Sequence, residues 1–254
     1  MKAKAMMKYA FMITVVLFLI SCAHTEKDKT GKKDAASDAQ EHFQLGLAAA
    51  ERGNLEEAVS EYRKVLKIDS KHTRARLNLG IAYGKQGKLK DEISEYQKAL
   101  AIDPRFSEAY FNLGVAQYER GNLNEAQVQF QKALQINPNY VEAHNNLGNI
   151  HFRKGRMDDA LAEYRKAVEI KADYARGYYN IGNVYKQNGK IEEAIASFQR
   201  ALEINPKYAE AHYGLAITYF EKQEFTLAAQ HADQAGRLGI VVDPKFLERL
   251  KSHR

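Results

Sequence analysis

The chain has 254 residues, of which 45% are hydrophobic and 28% charged, with 4 Pro and a single Cys. Those proportions exclude a disordered chain and favour a folded, helix-rich body, and one cysteine leaves no intramolecular disulfide. The formal charge is +6, but Lys2, Lys4 and Lys8 fall in a leader. Without those three the balance is +3, spread among acidic neighbours and too dilute for a nucleic-acid binder.

The three lysines precede an apolar run from Tyr9 to Ile20, which ends in Leu19-Ile20-Ser21-Cys22. A helix of that run rises only about 18 Å, short of the roughly 30 Å hydrocarbon core, so residues 1–21 read as a signal peptide rather than a membrane span. Its ending resembles the bacterial lipobox. That resemblance implies cleavage before Cys22, lipidation of its thiol and, with Ala23 following, sorting to the periplasmic face of the outer membrane in a bacterial envelope. Residues 22–38 alternate acidic and basic side chains with no large apolar one, and read as a flexible tether.

From residue 39 the chain repeats every 34 residues, as 39–72, 73–106, 107–140, 141–174, 175–208 and 209–242, with no insertion. Leu45-Gly46, Leu79-Gly80, Leu113-Gly114, Leu147-Gly148 and Ile181-Gly182 mark the phase, which fades at Leu215-Ala216. Counting positions 1 to 34 in each repeat, these glycines are at position 8. Each half-repeat carries apolar residues at helical spacing, as in Leu123, Ala126, Phe130, Ala133 and Leu134, so each unit predicts two antiparallel helices. Gly53, Gly87, Gly121, Gly155 and Gly189 are placed to end the first helix at positive φ. Asn54 with Glu57, and Asn122 with Glu125, have capping-box spacing for the second, and Pro104, Pro138 and Pro206 follow its end.

The position-8 glycines sit inside the first helix at a cost near 1 kcal/mol each, which implies close approach of another backbone, with Ala58, Ala126, Ala160 and Ala194 as small counterparts. Glu92 takes the alanine's place in the second repeat; the expectation is a carboxylate turned to solvent and a looser repeat. In the last repeat Ala216, Gln223, Ala232 and Ile240 replace the repeating Gly, Gly, aromatic and Pro. Asp243-Pro244 then opens a short helix with Phe246, Leu247 and Leu250 on one stripe, and residues 243–254 read as a capping helix.

Tyr178, Ile181, Gly182, Tyr185, Gly189, Ala194, Phe198, Ala201 and Pro206 in the fifth unit resemble the tetratricopeptide repeat, and the other units follow in phase. The resemblance implies an all-α, right-handed α-solenoid of six helix-turn-helix repeats. It further implies that positions 2, 5, 6, 9, 12 and 13 line a concave groove that docks protein or peptide segments.

On that register Asn78, Asn112, Asn146 and Asn180 form a row, joined by Asn145, Asn149 and Asn183. This is similar to the asparagine ladder of O-linked N-acetylglucosamine transferases, and hydrogen bonding within the repeats is the rival role. Phe111, Tyr118, Phe152 and Tyr179, with Phe43, Tyr213 and Phe220, add aromatic contacts or plain packing. A carboxylate clamp for chaperone tails is absent, since its basic positions hold Asn145, Glu210 and Gly214. His42, His144 and His212 share position 4 but are two or three repeats apart, and read as helix-surface residues with no metal.

No phosphate loop, nucleophile elbow or Cys pair occurs, so the expectation is a non-enzyme without cofactor or nucleic-acid partner. The reading is a membrane-anchored scaffold or adaptor. Assembly of an envelope machine such as the type IV pilus secretin, or regulation of an envelope hydrolase or transferase, stands as the alternative.

Overall fold

The structure is a computed structural model that describes residues 34–252. The signal peptide, Cys22 and the tether up to residue 33 lie outside the described residues. From Ala35 onward the expected tether is helix instead. Asp34, in extended conformation, caps α1 (Ala35–Glu51) by accepting from the Ala36 N–H at 3.4 Å, which fixes the helix start before the first repeat.

Among the described residues there are thirteen helices and no strand, so the all-α fold is as expected. They fall in two units. Residues 34–104 hold α1, α2 (Leu55–Ile68), α3 (Thr73–Lys85) and α4 (Leu89–Ile102). Residues 105–252 hold α5 (Ser107–Glu119), α6 (Leu123–Ile136), α7 (Val141–Arg153), α8 (Met157–Ile170), α9 (Ala175–Gln187), α10 (Ile191–Ile204), α11 (Ala209–Glu221), α12 (Phe225–Arg237) and α13 (Pro244–Lys251). Each repeat is one antiparallel hairpin, and within each unit successive hairpins stack.

The hairpin turns follow the glycines. Gly53, Gly87, Gly121, Gly155 and Gly189 have φ of 70° to 82°, a region that costs an L residue about 1–2 kcal/mol. Of the two capping boxes, Asn54 accepts from the Glu57 N–H at 3.3 Å, while Asn122 turns away and donates to Gln117 Oε1 at 2.9 Å. The second box is therefore not formed.

The position-8 glycines meet an aromatic ring, not a backbone. A Cβ on Gly46, Gly80, Gly114, Gly148 or Gly182 would fall 2.5–2.7 Å from a ring carbon of Tyr62, Tyr96, Phe130, Tyr164 or Phe198, the position-24 residue of the same repeat. Those five rings are fully buried, and each contributes about 1.5–3 kcal/mol by burial. Ala58, Ala126, Ala160 and Ala194 are also buried, four residues before each ring on the same helix face.

Glu92 differs from its expectation in the same region. Its carboxylate is turned inward, 8% exposed, and accepts a bond from the Tyr96 hydroxyl at 3.2 Å. Room for it comes from Gly84, where a Cβ would lie 2.6 Å from Glu92 Oε1. A glycine on the facing helix thus resolves the misfit, and the carboxylate is hydrogen-bonded rather than displaced.

In the last repeat both members of the contact change together: Ala216 has a Cβ and Ala232 has no ring. Phe246 of α13 packs there, joining Ala229 and Ala232 in one apolar cluster with Leu250, its ring 5.3 Å from Phe220 and 6.2 Å from Tyr213. Asp243 caps α13 by accepting from the Lys245 N–H at 3.0 Å, with Pro244 at its first turn. Gln223 holds the turn at φ 65°, a conformation its side chain disfavours.

A polar pair fastens most hairpins from position 4 to position 23. His42 Nδ1 meets Glu61 Oε2 at 2.6 Å, Arg76 donates to Glu95 at 3.0 Å, and His144 Nδ1 meets Glu163 Oε2 at 2.6 Å. The position-4 histidines are therefore packed across the hairpin rather than idle on its surface; His144 is 6% exposed. Burial pushes the Glu163 carboxyl up, but the bonds from His144 and Lys166 outweigh it and hold the group below its ordinary range. In the last repeat the pair is His212 with His231, Nδ1 to Nδ1 at 3.0 Å. Burial, with a smaller contribution from His212, pushes His231 down to about 4.

Three outcomes follow from these contacts. Gly148→Ala should lower stability by ~1–2 kcal/mol in urea unfolding, because overpacking against Tyr164 exceeds the helix propensity gained; equal or greater stability would reject the ring contact as the constraint. Gln223→Gly should raise stability by ~1 kcal/mol by relieving the left-handed turn, and a lower melting temperature would contradict this. Stability that depends on neutral His231 is fully present above the ordinary imidazole value of 6.5 and is lost as pH falls towards 4, since the unfolded chain takes the proton first. The fall in melting temperature from about pH 7.5 to about 4.5 should be smaller in His231→Gln than in the wild type, and equal falls would refute the assignment.

Candidate partner-binding site

In the second unit α5, α7, α9 and α11 begin 34 residues apart, so a given repeat position takes the same face of each. Direct contacts join three of these helices on that face. The Arg153 guanidinium of α7 lies 5.2 Å from the Tyr118 ring centre of α5, and Asn180 of α9 donates to Asn145 Oδ1 of α7 at 2.7 Å.

The asparagines divide into two groups. Asn145 is 2% exposed, and its amide oxygen is taken by Asn180. Asn180 also reaches Asn149 Oδ1 at 3.4 Å, and the Tyr164 hydroxyl donates to the same oxygen at 2.7 Å. Burial pushes the Tyr164 phenol well above its ordinary value, which keeps it a neutral donor. Asn145, Asn149 and Asn180, expected to present amides to a ligand, therefore form a network between repeats. A buried amide left unpaired would cost about 1–3 kcal/mol, which is the cost the Asn180 bond spares Asn145.

Asn112 is also engaged, donating to the Glu108 carbonyl of its own helix at 2.7 Å. The row stops at Gly214, where a Cβ would come within 2.9 Å of the Phe198 ring and an asparagine side chain has no room. Asn146, which accepts from Asn149 at a long 3.5 Å, and Asn183 remain half-buried on the face. Tyr118 and Phe152 are half-buried beside them. Asn78 is half-buried on α3, in the first unit.

The position-5 aromatics pack into the walls. Phe111 lies 5.7 Å from Phe130 and 4.7 Å from Tyr140, and Tyr179 lies 5.8 Å from Phe198 and 5.2 Å from Tyr208. Their partners Tyr140 and Tyr208 at position 34, with Tyr174 between them in sequence, form a row that the sequence reading missed. Burial, and then Glu108 for Tyr140 and Glu210 for Tyr208, pushes both phenols up to about 12, so they remain hydroxyl donors. The signal was present as 34-residue spacing, but His72 and Phe106 at the same position hid the common chemistry.

The face thus offers amides from Asn146 and Asn183, aromatic surface from Tyr118 and Phe152, and the Arg153 guanidinium. Amides pair with a peptide backbone in either direction, and rings hold apolar side chains. An open cleft lined by Leu134, Pro138, His144, Leu147, Glu163 and Ile170 among others includes none of these groove residues. Among the described residues no helix is long and apolar enough to cross a membrane.

The family model of the cilia and flagella-associated protein 70 C-terminal domain matches residues 20–241. No curated protein matches the chain. Among solved structures, MamA is 30% identical, with 69% of this chain and 96% of that chain covered at a TM-score of 0.58. PilF of Pseudomonas aeruginosa is 21% identical, with 87% and 100% covered at 0.76. YrrB, described as a tetratricopeptide protein with an unusual peptide-binding site, is 22% identical, with 75% and 97% covered at 0.59. The last two share the fold, and the family model spans nearly all of the repeats. The chain belongs to the tetratricopeptide-repeat family, in the group represented by the cilia and flagella-associated protein 70 C-terminal domain.

Proposed function

We propose that this chain is a lipid-anchored adaptor of a bacterial envelope, held at the periplasmic face of the outer membrane through Cys22, which docks extended segments of partner proteins in its groove. The observation that carries the docking role is the half-buried set Tyr118, Asn146, Phe152 and Asn183, whose helices are joined by the Arg153–Tyr118 contact and by the amide bonds of Asn180 to Asn145 and Asn149. A face whose supports are internally satisfied is pre-organised, so binding a segment costs little reordering of the groove. The peptide-binding site ascribed to YrrB, on the same fold, supports this use of the family's surface.

The anchoring role rests on the leader and on Cys22 being the only thiol. Three acyl chains hold a protein durably where one holds it marginally, so a lipidated Cys22 fixes location while the groove selects partners. Assembly of an envelope machine such as the type IV pilus secretin is a narrower form of the same reading, and regulation of an envelope hydrolase or transferase as an accessory subunit is the alternative.

One experiment tests both roles. Cells expressing the chain with a photo-crosslinking residue at Phe152 or Asn183 should yield a discrete cross-linked partner, while the same residue at Val128, which is 46% exposed on α6, should not. A clickable fatty acid should label the wild type but not Cys22→Ala. Equal products from Asn183 and Val128 would refute groove docking, and label retained in Cys22→Ala would refute the anchor.

A further inference from the structure

The position 4 to position 23 pair joins a cation to an anion, or an imidazole to a carboxylate, in the first, second and fourth repeats. The last repeat alone places two imidazoles there. His212 on α11 and His231 on α12 face each other with Nδ1 atoms 3.0 Å apart and ring centres 5.2 Å apart. At that distance one Nδ1 carries a hydrogen and donates it to the lone pair of the other, so the pair holds a proton where a cation could be held instead.

The geometry sets which nitrogens are available. His212 Nε2 lies 3.2 Å from the Pro206 carbonyl oxygen, which can only accept, so Nε2 carries the hydrogen and the lone pair is on Nδ1. A backbone carbonyl that fixes one ring nitrogen and leaves the other for a metal is the usual outer-shell arrangement of ligating histidines. His231 is held in place by the Tyr219 ring, stacked on it at 5.6 Å and 16°. The pair borders an open cleft lined also by Gln230, Asp233, Gln234 and Arg237. Among the described residues no three His, Cys, Asp or Glu side chains are grouped for a metal, so the pair offers two protein ligands and solvent would have to supply the rest.

We infer that His212 and His231 form a binding site for one divalent late first-row transition ion, such as Zn²⁺ or Ni²⁺, ligated through the two Nδ1 atoms. Imidazole suits these ions, and an N–N separation near 3 Å matches two adjacent ligands about 2.0–2.1 Å from one centre. In the metal-free pair the His231 Nδ1–H donates to His212 Nδ1. On binding, that proton moves to His231 Nε2, both Nδ1 lone pairs go to the ion, and no net proton is released. The ion would cross-link α11 to α12 in the one repeat that lacks the ring-on-glycine contact.

The test is nitrogen-detected imidazole NMR of the purified chain titrated with ZnCl₂, alongside calorimetry. The Nδ1 resonances of His212 and His231 should move together and saturate at one equivalent, and Zn²⁺ should raise the melting temperature. His231→Gln should weaken binding by more than the ~10–100-fold expected from losing an outer-shell partner, while His144→Gln should bind as the wild type does. Because the resonance shifts are read on the wild type, a variant that folds poorly does not decide the matter. Unmoved His212 and His231 resonances, which would mean that the pair shares only a proton, would overturn the assignment, as would loss of binding in His144→Gln alone.

Discussion

The ring of position 24 packed against the bare backbone of position 8 sets the distance between the helices of the first five repeats. Any side chain on Gly46, Gly80, Gly114, Gly148 or Gly182 would push the hairpin open, and any smaller residue at Tyr62, Tyr96, Phe130, Tyr164 or Phe198 would leave a hole. Other features depend on this spacing. Phe111 and Tyr179 lean on the same rings, and Leu147 joins Ala126 and Phe130 in one buried cluster, so the contact that closes a hairpin also seats the next. Stability in such an array is a sum of repeat and neighbour terms, and this contact enters both.

The polar residues show the same economy. Positions 4 and 23 tie the two helices of four hairpins by a polar pair, and a second bond runs from position 25 to the next repeat's position 11. Arg63 donates to the Tyr83 hydroxyl at 3.0 Å, Arg165 to Tyr185 at 2.7 Å and Gln199 to Tyr219 at 3.1 Å. These bonds give direction to contacts that apolar packing alone leaves free to slide. A hydrogen-bonded pair at a fixed repeat position therefore fixes register, while the rings supply most of the burial.

How much of this the sequence shows depends on whether a contact is local. Turn glycines and the α13 cap follow from short-range rules and were legible, since Gly121 or Asp243-Pro244 acts within a few residues, whereas the helix start at Ala35 and the turned-away Asn122 were not. The function of Gly148 was half legible: that something packed there was clear, but the partner is sixteen residues away on another helix and could be ring or backbone. Glu92 looked unfavourable because its compensation, Gly84, is a missing side chain on a facing helix. Period alone could not separate Asn146 from Asn145, because one residue of rotation about a helix turns an amide from the groove into the core.

That rotation explains why an asparagine row in this family is ambiguous evidence for a ligand. The amides of Asn145, Asn149 and Asn180 hold neighbouring repeats together, and the bonds they make to one another are bonds they cannot make to a peptide. The same network orders α7 against α9, and so fixes the distance from Phe152 to Asn183 on the face above. Replacing Asn180 would act on partner binding through position and on stability through the unpaired Asn145, whereas replacing Asn183 would act on the face alone. A comparison of the two separates a ladder that binds from a ladder that supports.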